Sequence, residues 1–231
     1  MNGLTDDSVK RAHALVDFMK VFPASDVQMV LCPPATMISV VASVLAQSNV
    51  LYGGQDCHAE PNGAFTGDIS AEMLKNLGCH YVIVGHSERR QYHRETSEQV
   101  AAKAAAAHRA GLTAIICVGE TDQERTAGQA QQVVSAQIKA SIPATATPVN
   151  TVIAYEPVWA IGTGKVASVQ DVADMHTLIH KLQPDLHALY GGSVKASNAR
   201  DILHTLNVDG VLVGGASLKV DEFGGIAAAS L

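Results

Sequence analysis

Short β-branched runs alternate with Ala-rich stretches of helical spacing along most of the chain. After a helix over residues 5–20, the pattern predicts seven strands, at residues 27–31, 50–52, 81–84, 114–118, 151–155, 187–190 and 210–213. This alternation is typical of βα units around a parallel sheet. It fits either an α/β barrel or an open doubly wound sheet, because periodicity does not distinguish the two.

Most of the predicted strands end in a glycine, a proline or a polar residue that begins a loop. In an α/β barrel such loops meet at the carboxyl-terminal face, where the chemistry takes place. No Pro/Ser-rich linker, low-complexity tract or sustained charge run divides the chain. We therefore expect a single domain over residues 1–231.

The composition narrows the class of partner. Hydrophobic residues make up 47% of the chain, and the net charge is −6 with scattered lysines and arginines, so small molecules are expected rather than nucleic acid. No apolar run approaches a membrane span and the first residues lack the features of a signal peptide, so a cytoplasmic protein is expected. The cysteines are widely spaced without a CxxC pair, which predicts free core thiols rather than a disulfide framework or a zinc site.

A glutamate at the end of the fifth predicted strand is the first candidate for chemistry. Glu156 precedes a proline that cannot continue strand pairing, and apolar residues and then glycines follow before a helix expected near Ser168. This arrangement is typical of a hinged lid, which would exclude water and make the carboxylate a stronger base. The alternative is a glutamate that caps a turn beside an ordinary core tryptophan. The predicted lid residues are Pro157, Val158, Trp159, Ala160, Ile161, Thr163, Gly164 and Lys165.

A histidine follows the third predicted strand. His86 precedes Ser87, a possible cap for the next helix. Because a helix N-terminus disfavours imidazolium, a neutral imidazole here would donate a hydrogen bond to a substrate oxygen and carry a proton between neighbouring oxygens. The other histidines are assigned to the surface or the core, and none forms an i, i+4 pair with a glutamate that would indicate a metal site.

Paired glycines end the last two predicted strands. Gly191-Gly192 precedes Ser193, and Gly214-Gly215 follows the final strand. Backbone N–H groups of glycines approach an anion closely, and the loops after the late strands of barrels commonly hold a phosphate. The sequence therefore predicts a phosphate site to which Ser193 adds a hydroxyl donor.

Five segments resemble the triosephosphate isomerase family in the family's order: AYEPVWAIGTGK at 154–165, VGHSERR at 84–90, ICVGE at 116–120, YGGSVK at 190–195 and VGGASL at 213–218. The resemblance covers nearly the whole chain. It implies a (β/α)8 TIM barrel that interconverts dihydroxyacetone phosphate and D-glyceraldehyde 3-phosphate through an enediolate, in glycolysis and gluconeogenesis. It also implies that no cofactor or metal is required.

The same resemblance assigns roles to individual residues. Glu156 would be the base that moves a proton between the two carbons, His86 would be the neutral group that polarises the carbonyl, and Glu88 would support an active-site lysine. The phosphate contacts would come from the backbone amides of Gly162, Ser193, Gly214 and Gly215.

The loop over residues 53–68 resembles the family's interdigitating dimer loop. Phe65 and Thr66 would enter a pocket of a second copy, which implies a homodimer. An ordinary long surface loop is the alternative.

The family motif Asn-x-Lys-Met-Asn-Gly is matched only by Met1-Asn2-Gly3. The lysine would fall immediately before Met1, and the first β-strand of the barrel would be missing from this chain. One explanation is a start codon placed at an internal methionine of an ordinary isomerase. The alternatives are a catalytically silent phosphate-binding or dimer-partner protein without the lysine, and a different phosphate-handling barrel enzyme, against which the lid and the histidine argue.

Overall fold

The computed structural model describes residues 1–22, 26–161 and 165–231, which form a parallel sheet of seven strands surrounded by helices. The strands follow one another in the sheet in chain order, and every neighbouring pair is parallel. They are β1 (Val30–Leu31), β2 (Leu51–Gly54), β3 (Tyr81–Val84), β4 (Thr113–Val118), β5 (Thr151–Tyr155), β6 (His187–Tyr190) and β7 (Gly210–Val211).

Helices connect successive strands on the outside of the sheet. They are α1 (Thr5–Val21), α2 (Ile38–Leu45), α3 (Ala71–Asn76), α4 (Ser87–His93), α5 (Ser97–Arg109), α6 (Asp122–Thr126), α7 (Ala130–Ser141), α8 (Val169–Leu182), α9 (Ala199–Leu203) and α10 (Val220–Ala228), with 3₁₀ turns at Ala35–Met37, Val158–Ala160 and Gly215–Leu218. Among the residues the structure describes, no helix is both long and apolar enough to cross a membrane.

The sheet curls around an apolar interior. Ile83, Ile115 and Ala154 of the central strands form a buried cluster, and Cys32 after β1 packs on the same cluster as Leu212 after β7. The outward side chains of these strands pack on the helices in separate clusters. Because both faces are buried, the central strands are apolar at successive positions rather than at alternate ones.

Four strand boundaries differ from the sequence expectation. β1 and β7 are shorter than predicted, and each is paired on one side only among the described residues. β4 begins one residue early, at Thr113. β2 continues through Gly53 and Gly54, where a loop was expected, because a Cβ at Gly53 would lie 2.3 Å from the Tyr81 carbonyl oxygen. These glycines let β2 and β3 approach rather than end the strand.

Local capping explains where several helices begin. The expected helix start near Ser168 is confirmed, because the Ser168 side chain accepts a hydrogen bond from the Asp171 amide and the Asp171 carboxylate closes a capping box. α5 begins with the same motif, made by Thr96 and Gln99. The cap of α4 was predicted one residue late, since His86 and not Ser87 is the N-cap. The side chain of His86 itself is therefore the capping group.

Candidate active site

The two residues that the sequence singled out for chemistry lie in direct contact. Glu156 follows β5, and its carboxylate is 2% exposed. His86 follows β3, and its Nε2 lies 2.8 Å from Glu156 Oε1. The backbone N–H of Ser87 donates to the other carboxylate oxygen at 2.7 Å. A buried carboxylate with both oxygens bound by donors is well defined in position.

The position of His86 at the head of α4 fixes its tautomer. The backbone N–H of Glu88 donates to His86 Nδ1 at 3.2 Å, so Nδ1 is the acceptor and Nε2 carries the proton that points at Glu156. Burial lowers the pKa of His86, but the hydrogen bond and the charge of Glu156 outweigh burial, and the pKa is raised above its usual value.

A second buried carboxylate, which the sequence analysis did not assign a role, anchors the first turn of the predicted lid. Glu120 is 0% exposed, and its Oε1 accepts hydrogen bonds from Trp159 Nε1 at 2.7 Å and from the Tyr155 hydroxyl at 3.1 Å. Arg125 lies over the Trp159 ring at 4.1 Å. Burial raises the pKa of Glu120, and these donors oppose the rise. The position of Glu120 after β4, inside the ICVGE segment, was the available sequence signal.

Two further residues behind Glu156 were missed. The buried thiol of Cys117 interacts with the Glu156 carboxylate, and its pKa is raised well above its usual value by burial and then by that charge. Gly119 packs so closely that a Cβ would lie 1.7 Å from the Glu156 backbone oxygen. All four cysteines are free thiols, as predicted, but only the tertiary structure places this one beside the carboxylate.

The two glycine pairs differ in what they contact. A Cβ at Gly192 would lie 2.2 Å from the Tyr190 hydroxyl, so this glycine is required for packing. A Cβ at Gly214 or Gly215 would have no atom of the described residues within 4 Å. Ser193 donates its hydroxyl to the carbonyl of Ala160 at 2.8 Å, so it contacts the lid instead of presenting a free donor. The expectation of a phosphate site therefore rests on the glycines after β7 and on the N–H of Ser193.

The remaining predicted residues lie around this centre or outside the described ranges. Pro157 precedes the 3₁₀ turn that begins the lid, and Lys165 is an exposed residue paired with Asp122 at 2.9 Å. Glu88 is an exposed residue whose carboxylate lies 3.9 Å from His86 Nδ1. The predicted lid or phosphate residues Gly162, Thr163 and Gly164 lie outside the described residues.

The aromatic residue of the long loop after β2 packs on another residue of the same loop. The Phe65 ring packs on the His58 ring with centroids 4.1 Å apart, and Phe65 remains 41% exposed. Thr66 beside it is exposed. This loop therefore presents an ordered apolar residue at the surface.

Comparisons with known proteins agree with this geometry. A family model described as triosephosphate isomerase matches residues 1–230. A triosephosphate isomerase of Chelativorans sp. (strain BNC1) is 55% identical over 208 residues, which are 87% of this chain and 82% of that protein. One of Granulibacter bethesdensis is 50% identical over 100% of this chain and 96% of the relative.

A solved structure gives the same result for the fold. The crystal structure of triosephosphate isomerase from Bartonella henselae superimposes with a TM-score of 0.91 at 42% identity, covering 99% of this chain and 94% of that one. The fold and the site define an α/β barrel of the TIM class with a buried glutamate in contact with a partly exposed histidine at its strand ends. The chain belongs to the triosephosphate isomerase family.

Proposed function

We propose that this protein is a triose-phosphate isomerase that interconverts dihydroxyacetone phosphate and D-glyceraldehyde 3-phosphate through an enediolate. The observation that carries the proposal is the contact of 2.8 Å between His86 Nε2 and a Glu156 carboxylate that is 2% exposed. A base and a hydrogen-bond donor side by side match a reaction that moves a proton between adjacent carbons of a hydroxy-carbonyl compound.

Glu156 is the base in this proposal. Its carboxylate takes a proton from one carbon of the substrate and returns it to the neighbouring carbon. Both carboxylate oxygens are bound by protein donors, so one of these contacts is exchanged for the substrate when it enters. The low exposure of Glu156 keeps water from competing for the proton. Exclusion of water also lowers the local dielectric constant, which strengthens the electrostatic interactions within the site.

His86 is the electrophile. Because Nδ1 accepts from the Glu88 amide, Nε2–H is the group that faces the reaction, and it donates to the two substrate oxygens in turn. A donor that is already oriented stabilises the negative charge that develops on oxygen in the transition state. Glu88 contributes through its backbone N–H, and its carboxylate lies at the exposed rim of the site.

The phosphate of the substrate is assigned to the loops after β6 and β7. The backbone amides of Ser193, Gly214 and Gly215 are the proposed donors, together with that of Gly162. The space that the described residues leave free at Gly214 and Gly215 supports this placement. The lid residues from Pro157 to Ile161, anchored through Trp159 to Glu120, are proposed to exclude water from the enediolate.

A homodimer and a cytoplasmic location in glycolysis and gluconeogenesis complete the proposal, with the chain acting as a single domain. The exposed Phe65 and Thr66 support a dimer through the loop after β2. Sedimentation of the wild type and of Phe65→Ser tests this part. A dimer that becomes a monomer on substitution is expected, and a monomeric wild type would contradict it.

The isomerase activity is tested by coupled assays in both directions. Glu156→Gln keeps the shape of the side chain and removes its basicity, so we expect kcat to fall by about 10³-fold or more. His86→Gln is expected to lower kcat by about 10²-fold. The exposed Glu98→Gln is the matched control, with unchanged kcat.

A second readout identifies the intermediate. Isomerisation in heavy water is expected to give product in which only part of the molecules carry deuterium at the carbon that received the proton, because the low exposure of Glu156 slows exchange of the transferred proton with solvent. Absence of any conversion by the wild type, or a Glu156→Gln variant with a nearly normal kcat, would contradict the proposal.

A further inference from the structure

A single arginine behind the site binds four separate segments of the chain. The guanidinium of Arg90, in α4, donates from Nε to the carbonyl of Gly85 at 2.9 Å and from Nη2 to the carbonyl of Cys117 at 3.0 Å. It also donates to the hydroxyls of Ser97 and Ser141, each at 3.1 Å. These partners lie after β3, in β4, at the start of α5 and at the end of α7.

The two carbonyls adjoin the two halves of the proposed catalytic pair. Gly85 immediately precedes His86. Cys117 immediately precedes Val118, whose carbonyl accepts the backbone N–H of Glu156 at 2.8 Å. One planar group is therefore bonded to the backbone just before His86 and to β4, which pairs with the strand that leads to Glu156. The guanidinium therefore bridges these two segments.

The bonding of this guanidinium depends on its forked shape. No carboxylate oxygen of the described residues lies within 4.0 Å of the Arg90 nitrogens, so its partners are neutral carbonyl and hydroxyl oxygens. A Cβ at Gly85 would lie 3.1 Å from Nη2, so the group is also packed against the backbone it binds. A guanidinium presents five N–H donors in fixed directions, which a lysine ammonium cannot reproduce.

We propose that Arg90 is a positioning residue that sets the distance between the His86 imidazole and the Glu156 carboxylate. This inference rests on the proposed isomerase function. Arg90 acts through the backbone carbonyls of Gly85 and Cys117 and contacts neither reacting group directly. Loss of these bonds frees two backbone segments whose relative placement the chemistry requires.

Three variants test the proposal. Arg90→Met keeps the aliphatic stem and removes the guanidinium, and Arg90→Lys keeps the positive charge alone. Ser141→Ala is the matched control. Ser141→Ala removes a partner of the same guanidinium without releasing either carbonyl. The readouts are kcat, KM, the melting temperature and the proton NMR signal of His86 Nε2–H. That signal is assigned by its loss in His86→Gln.

We expect Arg90→Met to lower kcat by about 10- to 100-fold while KM changes little, because a displacement of about 1 Å costs rate rather than substrate affinity. The His86 Nε2–H signal should move from its wild-type position in the folded variant. Arg90→Lys should show the same changes to a smaller extent. Ser141→Ala should melt at a lower temperature with kcat and the His86 signal unchanged.

A folded Arg90→Met with wild-type kcat and a wild-type His86 signal would overturn the inference. So would a Ser141→Ala whose kcat and His86 signal change as much as those of Arg90→Met. If Arg90→Met does not fold, Arg90→Lys is judged by the same two readouts. A wild-type protein without isomerase activity would refute the proposed function, whereas the His86 signal would still report whether Arg90 positions the pair.

Discussion

Gly119→Ala adds one methyl group at the closest backbone approach to the proposed base. The new Cβ would lie 1.7 Å from the backbone oxygen of Glu156, whereas real Cβ contacts are essentially never under 3.0 Å. The Gly119 peptide cannot move away freely, because the Gln137 side chain holds its N–H at 2.8 Å and its carbonyl at 3.0 Å. The strain is therefore directed at the segment that carries Glu156.

The size of the effect follows from the distance that must be gained. The two backbones have to separate by about 1.3 Å to reach the closest tolerated contact. A displacement of about 1 Å at a reacting group costs on the order of 100-fold in rate. Overpacking of this kind also lowers the free energy of unfolding by about 1–3 kcal/mol.

The assay compares Gly119→Ala with Gly128→Ala. Gly128 has a φ of +72°, and a Cβ there would have no neighbour within 4 Å in the described part of the chain, so alanine costs about 1 kcal/mol of backbone strain without contacting the site. Coupled isomerase assays and urea denaturation are made on both variants. Both should lose stability, and only Gly119→Ala should lose kcat. A kcat for Gly119→Ala within about threefold of the wild type would refute the reasoning.

Three further predictions concern the buried polar groups near the site. The buried hydroxyl of Tyr190 has no hydrogen-bond partner among the described residues, so Tyr190→Phe should be neutral or raise the unfolding free energy by about 1 kcal/mol in urea denaturation, and a clear loss would contradict this. Trp159→Phe removes a donor to the buried Glu120 carboxylate and should lower the unfolding free energy by about 1.5–3 kcal/mol in the same measurement. An unchanged unfolding free energy would show that the 2.7 Å hydrogen bond contributes nothing. Burial lowers the pKa of His176 from its usual 6.5, so the unfolded chain binds the proton more readily, and the stability present above pH 6.5 is lost as the pH falls. His176 should change the unfolding free energy by at most about 1.4 kcal/mol per pH unit in this range, and this pH dependence should weaken in His176→Phe. An identical pH dependence in the variant would count against the assignment.

The order of elements and the two central site residues could be predicted from the sequence. The strand–helix alternation depends on local pattern, and the parallel sheet in chain order matches it. Glu156 and His86 were predicted because each follows a strand, and parallel strands place such residues on one edge. Strand bounds were less predictable, as Gly53 and Gly54 show, because a glycine that permits close strand pairing looks in sequence like one that begins a loop.

The distances within the site depended on tertiary packing alone. Sequence pattern places Glu120, Arg90 and Cys117 near strand or helix ends but does not indicate which backbone or side-chain atoms they contact. Their partners are separated from them by long stretches of chain: Glu120 binds Trp159, and Arg90 binds Ser141. Such contacts arise only when the sheet curls and brings neighbouring strands and their helices together. The sequence therefore determined the kinds of groups at the carboxyl edge of the sheet, and the curled sheet decided which of them lie within hydrogen-bonding distance, because local periodicity carries no information on long-range packing.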